Sequence, residues 1–279
     1  MRIILAIARL TFREAATKRV LLAAVLLGAV FLIVYAIGFS LIQRDVRLHR
    51  PGASPLELNE TRNFLLMAGL YVVNFLIVMM SVLTSVDTLS GEISSGTVHV
   101  VATKPLRRRE IVLGKFAGFT FMLTLYLAVM AGGVMAIVFA ASGYVVPGAL
   151  RGMALLWLNA ILLLNVSLAG GAAWSTVTNG VIAFGLYGVA FIGGWIEHVG
   201  AFSGNHTAVL VGIVSSLIMP TEALWHRASF EMSSPLIATL GFSPFSSPST
   251  PSPLMIAYAA LYAAGALAIA LRTFASRDL

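Results

Sequence analysis

The residue types that most often carry catalysis are sparse in this chain and form no known catalytic pattern. There is no cysteine, which excludes a thiol nucleophile, a disulfide framework and a cysteine-ligated metal site. The five histidines fall in predicted loops or at the ends of apolar stretches, and no His-Glu-x-x-His motif of a zinc protease occurs. We therefore predict no catalytic residue and no metal site.

Gly114-Lys115 comes nearest to a phosphate-binding loop but lacks the rest of that motif. A P-loop needs Ser or Thr after Gly-Lys and another glycine five residues before it. Here Phe116 follows, and Arg109 stands at the position of the first glycine. The sequence therefore predicts no nucleotide site on this chain.

Charged residues are absent from the interiors of the apolar stretches. A carrier coupled to protons or ions normally needs at least one charged residue inside the membrane. Glu197 comes nearest, but it follows Trp195-Ile196 at the end of an apolar stretch. We expect it to lie at the boundary between membrane and water, so an ion-coupled carrier is not predicted.

Residues 87–115 gather the polar groups that are best suited to bind a partner. They include three of the eleven acidic residues and five of the eighteen basic ones, with uncharged apolar sequence on both sides. Apolar residues such as Ile93 and Val98 mix with these charges, as in a binding surface. Two interpretations are open: a docking element for a soluble partner, or a loop whose basic residues only fix the membrane topology.

This segment resembles the matching loop in the permease subunits of type-2 ABC transporters. Those proteins carry an acidic residue, Gly-Thr, Pro, a basic cluster and Gly-Lys at the start of the third membrane helix. The matching residues here are Glu92, Gly96, Thr97, Pro105, Arg108 or Arg109, Gly114 and Lys115. Arg107 departs from the pattern, since many relatives have Ser or Thr there.

The resemblance implies that a short helix in this loop lies in a groove of a separate cytosolic ATPase and transmits its motion. ATP and Mg would be held by that ATPase, and this chain would bind no cofactor. A second permease copy, in a homodimer or heterodimer, is implied too, and an extracytoplasmic accessory protein is allowed. The implied coupling residues are Glu92, Ser95, Gly96, Thr97, Lys104, Pro105, Arg107, Arg108, Arg109 and Lys115.

The composition indicates an integral membrane protein. Of the 279 residues, 59% are hydrophobic and only 10% are charged, and the mean hydropathy is +0.94. The net charge of +7 fits anionic lipid and cytoplasmic loops. No combined aromatic and basic platform occurs, so we do not expect nucleic acid as a partner.

Six apolar stretches predict an all-α integral membrane protein with one transmembrane domain over 1–279. The first stretch has no charge and, at about 1.5 Å per residue, is long enough to cross a hydrocarbon core of about 30 Å. The uncharged region that follows residue 151 is too long for one span, and we divide it at 174–180, where an Asn-Gly pair predicts a turn. The predicted spans are 20–42, 63–86, 116–141, 150–173, 181–196 and 254–271.

Residues 1–19 predict an interfacial helix ahead of the first span. At 100° per residue, Arg2, Arg9 and Arg13 fall on one face of this helix. A stripe of arginines is typical of a helix that lies along lipid headgroups. The resemblance implies that this helix lies on the cytosolic face near the ATPase.

Residues 197–253 are predicted as an outer loop that contains short helices. The apolar piece 209–219 is too short to cross a bilayer and is stopped by Pro220, so we expect a re-entrant or interfacial helix. A second, amphipathic helix is predicted over 222–232. A connector rich in Ser and Pro follows over 243–253.

Three asparagines inside the predicted spans are the candidates for a translocation path: Asn74, Asn159 and Asn165. Amides in membrane helices more often join helices than bind a substrate. These three would suit an amphiphile, a lipid or a small peptide, so they do not identify a substrate.

The basic residues predict the orientation of the chain. With six spans, twelve of the eighteen lie on the side that holds both termini and residues 87–115. We therefore expect a multi-pass protein of the cell membrane with both termini in the cytosol. The first outer connector, 43–62, carries four of the remaining six basic residues, which weakens this bias.

Two functions from different classes fit these observations. The first is the permease subunit of an ATP-driven ABC transporter, which dimerises, couples to a separate ATPase, and exports a substrate or transmits force across the membrane. The second is a non-transporting membrane anchor or a lipid-modifying membrane protein. The lack of a catalytic constellation disfavours an enzyme. A co-purifying soluble ATPase would support the first function, and a stable lone monomer the second.

Overall fold

The computed structural model of the chain describes residues 2–17, 19–49, 52, 54–91, 107–234 and 250–276. Within these ranges it is helical and contains no strand. Its helices are α1 (Arg2–Thr17), α2 (Arg19–His49), α3 (Pro55–Ser85), α4 (Arg108–Ser142), α5 (Ala149–Ala173), α6 (Thr176–Ser203), α7 (His206–Ile218), α8 (Thr221–Met232) and α9 (Pro253–Ser276).

Six of these described helices, α2 to α6 and α9, are long and apolar enough to cross a membrane. The predicted all-α membrane fold with six spans and an N-terminal helix is therefore confirmed. The coupling helix that we expect between the second and third spans falls within 92–106, outside the described residues.

Several helices are longer than the apolar stretches that predict them. The connector predicted over 43–62 is mostly helical, because α2 continues to His49 and α3 begins at Pro55. A capping box starts α3: the Glu57 backbone N donates to Ser54 Oγ at 3.3 Å, and the Ser54 backbone N donates to the Glu57 carboxylate at 3.2 Å. Residues 108–115, predicted as loop, likewise form the first turns of α4.

The helix ends gather on two faces of the molecule. On the first, here the N-terminal face, the side chain of Arg108 at the start of α4 reaches Ala275 at the end of α9. On the second, here the distal face, the Asn63 amide of α3 donates at 3.0 Å both to the carbonyl O of Met232 and to the hydroxyl of Tyr144. The end of α3 and the start of α4 lie on the N-terminal face, and the connection between them is here called the α3–α4 loop.

α3 and α5 form the centre of the helix bundle, and α2 lies at its edge. Leu70 and Ile77 of α3 and Leu162 of α5 are completely buried. By contrast, α2 leaves an apolar face more than half exposed, with side chains such as Ile33 and Val34. In a bilayer such a face meets lipid or another protein.

α6 extends beyond the span predicted over 181–196, and this overturns one expectation. The helix continues to Ser203, and Glu197 is 5% exposed instead of lying at the water boundary. Lys115, predicted to lie in the loop just before the third span, lies within α4 and is 4% exposed. Glu197 is buried because α7 folds back onto α6 so closely that a Cβ added at Gly212 would lie 2.3 Å from the Glu197 Cβ.

α7 and α8 lie at the positions of the two short helices predicted within the outer loop. Pro220 follows the end of α7, and the two helix axes bend by 106° at this break. The pair is thus a broken span or a re-entrant hairpin on the distal face. Most of the connector predicted over 243–253 lies outside the described residues.

Candidate coupling site at the N-terminal face

α1 packs against the first half of α4 through two glycines. A Cβ added at Gly114 would lie 2.6 Å from the Ile7 side chain, and one added at Gly118 would lie 2.7 Å from the carbonyl O of Ala8. Small residues allow membrane helices to approach this closely. α1 is therefore fixed to the helix that directly follows the α3–α4 loop.

The outer face of α1 mixes basic and apolar side chains. Arg9 and Arg13 are exposed there, together with Leu5 and Leu10, which are 73% and 65% exposed. This mixture is typical of a helix in the headgroup region of a bilayer. Arg2 begins the helix, and its side chain is not among those described.

The start of the α3–α4 loop is tied to the start of α6. The Thr176 hydroxyl donates to Asp87 Oδ1 at 3.0 Å and lies 2.8 Å from the Ser90 hydroxyl. Asn179, one turn further along α6, donates to the carbonyl O of Val86 at 3.1 Å. These bonds fix the first residues of the loop to the first turn of α6.

Asn179 joins three segments at this point and corrects another prediction. Besides Val86, its amide donates to the carbonyl O of Ser167 in α5 at 2.9 Å, and Gly170 makes room for the side chain. The Asn-Gly pair predicted as a turn therefore lies inside α6. The break between α5 and α6 falls earlier, at Trp174 and Ser175.

The end of the loop is tied to α9 and stabilised by a cap. The Glu110 carboxylate accepts a hydrogen bond from the Arg107 backbone N at 3.1 Å, which closes the first turn of α4. The Arg108 guanidinium donates to the carbonyl O of Ala275 at 3.5 Å. Carbonyl groups at a helix C-terminus carry partial negative charge, which favours an arginine at this position.

Lys115 connects the two ends of the loop. Its side chain is buried, and Nζ donates to the carbonyl O of Thr88 at 3.4 Å. A buried ammonium group needs hydrogen-bond acceptors to offset the loss of water. The loop is therefore held at both ends, to α6 on one side and to α1, α4 and α9 on the other.

The family described as ABC-2 family transporter protein matches residues 5–279. This chain belongs to the ABC-2 transporter family. The predicted resemblance is thus confirmed, and the chain is a membrane permease of an ABC transporter. Among curated protein sequences no significant match was found.

Part of the predicted coupling set can be located in this ABC-2 chain. Arg107 and Arg109 are exposed on the N-terminal face, whereas Arg108 is half-buried and Lys115 is buried. Lys115 therefore contacts the chain's own backbone and does not present its charge at the surface. Outside the described residues lie Glu92, Ser95, Gly96, Thr97, Lys104 and Pro105.

Four residues of this site were missed by the sequence prediction: Asp87, Ser90, Thr176 and Asn179. The available signal was the hydroxyl-rich segment 174–180, which we interpreted only as a break between spans. Hydroxyl and amide groups of that kind also serve as partners for a loop that lies beside them. The pairing across the sequence became visible only in the folded chain.

The three asparagines proposed for a translocation path form contacts between helices in this ABC-2 permease. Asn159 Nδ2 donates to Asn74 Oδ1 at 2.9 Å, which joins α5 to α3. Asn165 Nδ2 donates to the carbonyl O of Ala263 at 3.0 Å, which joins α5 to α9. Their role in translocation stays a prediction.

Proposed function

We propose that this permease dimerises and is driven by a separate cytosolic ABC ATPase that engages the α3–α4 loop. Membership of the ABC-2 family supports a partnership with ABC ATPase subunits in general. The observation that carries the proposal is the double anchoring of the loop, through Thr176 and Asn179 at its start and Lys115 at its end.

Closure of the ATPase pair pushes the loop towards the membrane. At the start of the loop, the bonds of Asp87 and Val86 pass this displacement to α6. At its end, Lys115 and Arg108 pass it to α4 and α9. These helices tilt together, which opens a route between two permease copies or transmits force to a partner beyond the membrane.

The charge of the N-terminal face supports its placement in the cytosol of a cell membrane. Arg9, Arg13, Arg107 and Arg109 are exposed on this face. They suit acidic groups of an ATPase and anionic headgroups of the inner leaflet. ATP and Mg are bound by the partner, so hydrolysis takes place outside this chain.

Glu92→Lys tests the proposal, because Glu92 is the acidic residue of the family-like loop. Loss of one member of an interfacial ion pair costs a few kcal/mol, so we expect docking of the ATPase to weaken by about a hundredfold. ATPase affinity and stimulated ATP hydrolysis are measured with the co-purified complex in nanodiscs. Asp45→Lys, at an exposed carboxylate of α2, is the matched control. Unchanged coupled activity in Glu92→Lys would count against the proposal.

A further inference from the structure

A groove of about 530 Å³ lies between α5, α6 and α9, in the half of the helix bundle nearer to the N-terminal face. α5 packs against both of the other helices, whereas α6 and α9 scarcely contact each other within the described residues. α5 thus forms the floor of the groove, and α6 and α9 form its walls. From Tyr262 to Ile269 the α9 wall is about 10 Å long, which is most of the roughly 15 Å depth of one bilayer leaflet.

The surface of this groove is almost entirely apolar. Side chains such as Leu186 of α6 and Ile269 of α9 lie along it. Its one side-chain amide, Asn179, donates to the carbonyl O atoms of Val86 and Ser167, so this NH₂ group is already used within the chain. An apolar cavity of even about 150 Å³ stays dry and accepts an apolar molecule such as benzene. The composition of the groove therefore indicates an apolar occupant.

Small residues on the walls create the space in this groove. Gly265 and Ala266 line it from α9, and Ala183 lines it from α6. In membrane helices, small residues usually let a neighbouring helix approach closely. A Cβ added at Gly265 would meet no atom within 4 Å, so this glycine does not serve the close approach of another described helix. It instead leaves a space that no described part of the chain fills.

Two side chains mark the end of the groove at the N-terminal face. Trp174, which is 46% exposed, lines the groove at the junction of α5 and α6. Tryptophan is enriched where a bilayer meets water. Arg272 is exposed on α9 and follows Gly265 by about two helical turns, so the two residues lie on the same side of the helix. An apolar groove that begins beside a tryptophan and an arginine matches an acyl chain that hangs below an anionic headgroup.

We propose that this groove holds the acyl chain of an anionic phospholipid from the leaflet at the N-terminal face, with the lipid phosphate beside Arg272. The acyl chain lies against Leu186 and Ile269, where packing in a fixed groove replaces the looser contacts of bulk lipid. Arg272 offsets the negative charge of the headgroup. The inference is independent of the proposed function, because the lipid is bound whether or not an ATPase drives the chain.

Photolabelling with a lipid tests the inference directly. A phosphatidylglycerol with a diazirine on its acyl chain is added to the purified full-length protein in nanodiscs of phosphatidylcholine, and labelled residues are mapped by peptide mass spectrometry. We expect labelling of the groove to saturate and to be competed by unlabelled phosphatidylglycerol. Labelling of exposed side chains outside the groove should rise in proportion to the probe. Labelling spread evenly over all exposed apolar surfaces would overturn the inference.

Gly265→Phe fills the groove from a position where the added side chain has open space. It should lower labelling of the groove to the level of the other exposed surfaces, in a protein that still unfolds cooperatively on heating. Gly185→Phe is the matched control, because Gly185 is an exposed glycine of α6 that has equally open space and does not line the groove. Groove labelling that is unchanged in Gly265→Phe would contradict the inference.

Two further changes test the headgroup and the identity of the occupant. A basic residue near the headgroups contributes about a factor of five to the binding of an anionic lipid, so Arg272→Gln should weaken competition by unlabelled phosphatidylglycerol about fivefold. Competition that is unchanged in this variant would overturn the placement of the phosphate. A photoreactive amino acid in place of Ile269 should cross-link to lipid, whereas a cross-link to a second copy of the chain would show that protein covers the groove and would overturn the inference.

Discussion

Two clusters of polar side chains in this permease, one on each face, differ in how their hydrogen bonds are satisfied. On the N-terminal face, Lys115, Thr176 and Asn179 each donate to a named acceptor on another segment of the chain. On the distal face, Oγ1 of Thr221 and Oε1 of Glu222 are buried without a hydrogen-bond partner among the described residues. Satisfied groups fix one geometry, whereas unsatisfied ones leave hydrogen-bonding capacity unused.

Under the proposed function, this contrast bears on how the permease transmits displacement. A segment that transmits displacement has to be rigid, so its hydrogen bonds are closed within the chain. A cluster that keeps hydrogen-bonding capacity unused does so at a cost in stability. Substitutions on the two faces should therefore change the free energy of unfolding by different amounts and in opposite directions.

The largest effect is expected where α1 meets α4. Gly118→Ala places a Cβ 2.7 Å from the carbonyl O of Ala8, a backbone atom that cannot turn away. We expect the free energy of unfolding to fall by about 1–3 kcal/mol through overpacking, together with a loss of ATPase coupling. Thermal unfolding in detergent and stimulated ATP hydrolysis are the measurements.

Gly132→Ala is the matched control, because Gly132 lies in the same helix and a Cβ added there meets no atom within 4 Å. In the absence of a clash, replacing a helical glycine by alanine should stabilise the protein by about 0.5–1 kcal/mol. A lower free energy of unfolding in Gly118→Ala and a higher one in Gly132→Ala would support the close packing of α1 against α4. Equal changes in both variants would show that α1 does not pack closely against Gly118.

The next prediction compares one substitution on each face. Asn179→Ala removes the donor to the carbonyl groups of Val86 and Ser167 and should lower the free energy of unfolding by about 1–3 kcal/mol. Glu222→Gln should leave stability unchanged or raise it, because a neutral amide avoids repulsion from Glu197 and the cost of a buried charge. Chemical unfolding of both variants measures whether the free energy of unfolding falls or rises in each. If Glu222→Gln lowered the free energy of unfolding as much as Asn179→Ala does, the proposed difference between the two faces would be refuted.

The sequence predicted the helices of this fold better than their ends. Long uncharged stretches suffice to predict the six spans, since an apolar run of this length has few alternatives to crossing a membrane. The ends depend on local side-chain bonds, such as the capping box of Ser54, and on partners far along the chain. Asn179-Gly180 reads as a turn by composition and lies in a helix because two distant carbonyl groups accept from Asn179.

The candidate sites were predicted unequally for the same reason. The family-like loop is a local pattern, so Arg107, Arg109 and Lys115 could be selected from the sequence, although the burial of Lys115 could not. Glu197 was expected at the water boundary, because nothing near it in the sequence shows that α7 covers it. The burial of Glu197 and Glu222 depends on contacts between α6, α7 and α8, which only the folded chain provides.

The smallest effect is expected at the surface end of the proposed coupling network. Thr176→Val keeps the shape of the side chain and removes the hydroxyl that donates to Asp87 and lies beside Ser90. Because Asp87 is exposed and water can replace this bond, the free energy of unfolding should fall by less than about 1 kcal/mol. ATPase stimulation should fall more than stability does, since the lost bond joins the loop to α6. Thr207→Val on the distal face is the control, and equal losses of stimulation in both variants would refute transmission through Thr176.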